Sequence, residues 1–77
     1  RRLKSLRSPA HRKLTRRLTA ARTAAGLTQT ALAEKLGRHQ SFVAKYESGE
    51  RRLEVIEFLQ ICRELGVSTN QVLRDLV

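Results

Sequence analysis

What this chain lacks narrows what it can be. Its 77 residues include one cysteine, one proline, four glycines, no methionine and no tryptophan. Phe42, Tyr46 and Phe58 are its only aromatics. The lone Cys62 can form no internal disulfide, so the fold must hold without covalent staples. So few aromatics and turn formers, with no alternating run of β-branched residues, argue against a β-sandwich or barrel. No long apolar run is present, which argues against a membrane-spanning segment, and no membrane partner is expected. There is no glycine-rich phosphate loop, and neither His11 nor His39 has a carboxylate or cysteine at ligand or catalytic spacing. The expectation is therefore no enzyme, no metal and no cofactor. A chain this short has room for one domain with one modest core.

Acid is missing from one end of the chain. Residues 1–33 hold nine Arg or Lys and no acid, while residues 34–77 hold seven of each sign. The whole formal charge of +9 thus sits at the N-terminal end. A field of that kind draws polyanions, of which a nucleic-acid backbone is the commonest. Charge alone leaves two other readings open, a solvated tail and a patch for anionic lipid. The unpaired cysteine and the absence of a signal peptide point to a reducing cytoplasm, with Cys62 as a buried thiol. The first residue is Arg1 rather than Met, so the native N-terminus is expected to be missing or processed.

What is present is Leu and Ala at helical spacing, which favours an all-α fold of five short helices. Residues 1–8 read as a basic N-terminal arm and residues 9–77 as one domain. Ser8 and Pro9 look like an N-cap and first helical position. Leu14, Leu18, Ala21 and Ala25 then form one apolar stripe, closed by Gly26. Thr28 can cap a second helix over 29–36, followed by Gly37. A third runs over about 40–47, with Val43 and Tyr46 inward. A fourth, near 53–65, is apolar on much of its circumference (Val55, Ile56, Phe58, Leu59, Ile61, Cys62, Leu65) and is expected to pass through the middle of the core. Ser68 and Gln71 form a capping-box pattern for a last helix over about 69–76.

Spacing singles out the second and third helices. Counting from Gln29, a small residue falls fifth (Ala33), a glycine ninth (Gly37) and a β-branched residue fifteenth (Val43). Ala33 lets two steeply crossed helices approach. Gly37 accepts the positive φ of a sharp turn, and Val43 fills the angle between the helices. This is the pattern of a helix-turn-helix.

The segment GLTQTALAEKLGRHQSFVAKYESGERRLEVIEFLQICRELGVS resembles the phage-repressor and Cro-type helix-turn-helix family, the XRE family, over about Leu14 to Leu76. The resemblance implies a five-helix, lambda-repressor-like domain that binds double-stranded DNA as a homodimer on a roughly palindromic operator. It implies that Gln29 contacts a phosphate and that Gln40, Ser41, Ala44 and Lys45 face the bases. Helical spacing puts these four opposite Val43 and Tyr46. Gln40 suits adenine, Lys45 suits guanine or a phosphate, and Ala44 suits a thymine methyl. By themselves such residues are an ordinary exposed face. The resemblance also pairs Arg22 with Glu47 in a buried salt bridge, and places Arg51 and Arg52 at the sugar-phosphate backbone. Two departures stand at the recognition helix's entrance: Arg38 where an apolar residue is usual, and His39 where a Ser or Thr cap is usual. Both are phosphate-contact candidates and equally ordinary solvent-facing residues. Leu53 replaces a frequent proline.

The expected function is sequence-specific transcriptional regulation, most simply repression. The alternative is the antitoxin of a toxin pair, with a protein partner on part of this surface. A nonspecific basic domain is a third reading. Val72, Leu73, Leu76 and Val77 are expected either to form a two-fold interface or to close the monomer's core.

Overall fold

A computed structural model of the chain describes residues 8–76. The arm cations Arg1, Arg2, Lys4 and Arg7, and Val77, lie outside the described residues. Five helices follow in order: α1 Pro9–Ala24, α2 Gln29–Leu36, α3 Gln40–Ser48, α4 Val55–Leu65 and α5 Thr69–Arg74. Among the described residues there is no strand, and no helix long and apolar enough to cross a membrane.

Local chemistry sets most of these boundaries. At α1, Ser8 Oγ accepts from the His11 backbone N–H at 3.0 Å, with Pro9 at the first position, where it loses no hydrogen bond. Thr28 Oγ1 does the same for Ala31 at the start of α2. The helix-turn-helix corner is made by Gly37 at φ +69. A Cβ built there would meet nothing within 4 Å. Backbone conformation, not space, therefore demands glycine at this corner.

Packing then joins the helices. α2 and α3 pack against each other, α1 against α3, α4 and α5, and α4 against α2. Leu18, Leu32, Val43, Tyr46 and Ile61 are fully excluded from solvent, with Ala33, Cys62 and Val72 almost so. Each buried Leu or Ile side chain contributes about 1.5–3 kcal/mol. Arg17 pairs with Asp75 and links α1 to the end of α5. Both partners are well exposed, so the pair adds little stability.

Two expectations are corrected. α4 does not pass through the middle of the core, and it begins at Val55 rather than near Leu53. Phe58, Ile61, Cys62 and Leu65 face inward, but Val55, Ile56 and Leu59 are exposed. The helix lies on the surface of α1 and α2, so only one of its faces can be covered. Near the C-terminus, Val72 is buried and closes the monomer's core, while Leu73 is exposed and Leu76 half-buried.

Candidate nucleic-acid interface

The outer face of α3 carries the residues that spacing selected. Gln40, Ser41 and Lys45 are exposed, and Ala44 is half-buried beside them. Phe42, Val43 and Tyr46 hold the opposite side in the core. Phe42 and Tyr46 meet edge to face, with ring centroids 5.4 Å apart. His39 occupies the N-cap position without a side-chain capping bond. It is exposed at the entrance of the helix.

Behind this face runs a chain of hydrogen bonds across three helices. Arg22 at the end of α1 donates from Nε to Glu47 Oε2 at 2.7 Å and from Nη2 to Oε1 at 3.1 Å. Its Nη1 donates to the Leu27 carbonyl at 2.8 Å. Glu47 Oε1 also accepts from Gln29 Nε2 at 2.9 Å, and Gln29 Oε1 accepts from Gln40 Nε2 at 2.9 Å. The arginine and glutamate side chains are only 12 % and 7 % exposed. The hydrogen bond to Glu47 raises the Arg22 pKa above its ordinary value. One amide hydrogen of Gln40 is spent on Gln29, leaving its carbonyl and its other N–H available to another partner. Position and orientation of that amide are thus tied to the first helix.

A second cluster gathers the other cations. Arg38 precedes α3 and Arg51 follows it, yet both reach Glu57 on α4. Arg51 forks onto this carboxylate with two bonds of 2.8 Å, and Arg38 Nη1 reaches Oε2 at 3.2 Å. Their guanidinium carbons lie 3.9 Å and 4.8 Å from the centroid of the Phe42 ring. Glu57 also accepts from the Glu54 backbone N–H at 3.1 Å, which fixes the start of α4. The Arg51 hydrogen bonds, aided by Glu54 N–H and Arg38, pull the Glu57 pKa from its ordinary 4.5 to about 2 against the opposing effect of burial. Arg52 is exposed in the same loop, and its charge adds to burial in lowering the pKa of His11 on α1.

Sequence reasoning selected Arg38 and Arg51 but missed Glu57 and Phe42. A signal for Glu57 existed: an acid three residues after Glu54, at the N-terminus of a predicted helix, is a capping-box pattern. Phe42 gave none, because its stacked partners come from either side of α3.

Among the described residues no group of His, Cys, Asp or Glu is placed to hold a metal ion. The fold, the tight glycine corner and the exposed polar face of α3 define a helix-turn-helix DNA-binding domain. The sequence profile of the helix-turn-helix family matches residues 18–72. An XRE-family-like protein from Pseudomonas syringae pv. tomato str. DC3000 is 46% identical, with a TM-score of 0.85, over 95% of this chain and 89% of that one. The crystal structure of the clp gene regulator ClgR from C. glutamicum superposes with a TM-score of 0.80 at 23% identity, over 90% of this chain and 88% of that chain, a likeness of fold. No curated protein gives a significant match. The chain belongs to the XRE-type helix-turn-helix family. It is a DNA-binding transcription regulator and not an enzyme.

Proposed function

We propose that this protein binds a specific double-stranded DNA site as a homodimer and represses transcription from it. In this reading Gln40, Ser41, Ala44 and Lys45 meet base edges in the major groove. Gln29, Arg38, His39, Arg51 and Arg52 meet the backbone. The observation that carries it is the chain from Arg22 through Glu47 and Gln29 to Gln40. A surface glutamine with no reading role would have no need of a brace anchored on another helix. Fixing the amide beforehand lowers the entropy lost when it pairs with a base.

The dimer is supported by the apolar residues the monomer leaves exposed, Val55, Ile56, Leu59 and Leu73. A two-fold dimer would present its recognition helices about one turn of DNA apart. Repression then follows from simple occupancy of a promoter. A cytoplasmic location agrees with this task and with a cysteine free of disulfides. The toxin-pair alternative has no feature of its own among the described residues.

Selection of bound duplexes from a random pool, read by sequencing, tests the proposal. The expected result is an enriched site with two related halves. No enrichment at moderate salt would refute sequence-specific binding. Within the selected site, Gln40→Ala should relax preference at one position, by about 1–3 kcal/mol for a lost bidentate contact.

A further inference from the structure

Glu57 is a buried acid on a domain built to meet a polyanion. Its side chain is 10% exposed, whereas those of Arg38 and Arg51 are each 37% exposed. Long arginine side chains on a surface ordinarily sample many rotamers. Here both are held from two directions, by the Glu57 carboxylate and by the face of Phe42. Arg51 is further fixed by a bond from Nη1 to the Arg52 carbonyl at 2.9 Å. Arg38 commits only Nη1 to the carboxylate, so the rest of its donor fork remains for another acceptor. Two guanidinium groups against one carboxylate leave a net positive charge. Phe42, on the first turn of α3, sets that charge beside Gln40 and Ser41.

We propose that Arg38 and Arg51, held by Glu57 and Phe42, form a preorganised clamp for one DNA phosphate beside the recognition helix, with Glu57 as its positioning residue. The inference rests on α3 being the helix that enters the groove. It adds that an acid strengthens DNA binding here. Held donors meet a phosphate without first losing side-chain freedom, and a bidentate guanidinium suits its geometry. Glu57 itself touches no DNA in this arrangement.

Charge bookkeeping and the clamp predict opposite signs. Removing an acid from a DNA-binding domain raises its positive charge and ordinarily tightens binding to a polyanion. The clamp predicts that Glu57→Gln weakens binding instead, by about tenfold on a selected duplex, with the log–log salt slope shallower by about one, the step for one phosphate. Arg38→Gln and Arg51→Gln, at half-exposed side chains, should each weaken binding to selected and random duplexes alike. Coupling supplies the stricter test. In the Glu57→Gln background, Arg38→Gln should cost less affinity than it does in the wild type. Circular dichroism at the binding temperature establishes that each variant is folded.

Unchanged or tighter binding by folded Glu57→Gln would overturn the proposal, as would strict additivity of the two substitutions. Should Glu57→Gln fail to fold, the two arginine variants decide alone: affinities and salt slopes equal to wild type overturn the clamp. If the wild type itself bound no duplex, the DNA-binding reading would fall with it.

Discussion

Replacing Arg22 by alanine should cost more than the loss of an ordinary surface cation. Three hydrogen bonds vanish at once, two to Glu47 and one to the Leu27 carbonyl. Glu47, only 7% exposed, keeps the hydrogen bond from the amide of Gln29. Breaking one side of a buried pair typically costs about 3–5 kcal/mol, most of it from the charge left behind. The remaining Gln29 bond favours the lower end, so about 3 kcal/mol is expected. In a domain of 77 residues, each kcal/mol moves Tm by about 4–8 °C. Arg22→Ala should therefore melt roughly 12–24 °C below the wild type.

Thermal and urea unfolding followed by circular dichroism measures this directly. The double variant Arg22→Ala/Glu47→Ala separates the two possible causes. If the stranded carboxylate is the cost, removing it returns part of the loss, and the double variant unfolds above Arg22→Ala alone. Strictly additive losses would assign the cost to packing instead. A single variant melting within about 2 °C of wild type, well under the shift for 1 kcal/mol, would refute the brace outright.

Two further outcomes are accessible to the same instruments. Glu57 has a folded pKa of about 2 against an ordinary 4.5. Its contribution is present above about pH 4.5 and lost as pH falls toward 2. The full shift corresponds to about 3 kcal/mol, reduced toward about 2 because solvent screens its half-exposed arginine partners. Urea midpoints of wild type and Glu57→Gln should thus converge between pH 5 and pH 2.5, and a constant gap would contradict this account. Among the described residues, Tyr46 Oη is buried with no hydrogen-bond partner. Burial also raises its pKa, since the phenolate cannot be solvated there. Tyr46→Phe removes an unsatisfied polar atom and should leave stability unchanged or raise it by up to about 1 kcal/mol. A loss larger than that would mean that the hydroxyl makes a bond.

Much of this protein is legible in its sequence because the relevant physics is local. Ser8, Thr28 and Ser68 announce helix starts, since each side chain caps a backbone N–H three residues on. Gly37 announces the corner, since few other residues tolerate its φ of +69. The spacing of Gln29, Ala33, Gly37 and Val43 fixes which face of α3 is hidden, and so which four residues lie outward. Arg22 and Glu47 stand 25 residues apart, and only the family resemblance joined them.

Tertiary structure alone decided the rest. Composition makes α4 look apolar on much of its circumference, but a helix lying on two others can bury only one face. Val55, Ile56 and Leu59 are left to solvent on that ground, while Val72 closes the core. The same holds for the cations flanking α3. In the sequence Arg38 and Arg51 are surface charges on either side of a helix, and Glu57 is an acid in an apolar run. They become one unit only when α4 brings Glu57 between them and Phe42 supplies the ring. Sequence determined which face of α3 lies outward, because periodicity and turn chemistry act over a few residues. The fold determined how that helix is braced, because ion pairs and stacking join residues that only packing brings together.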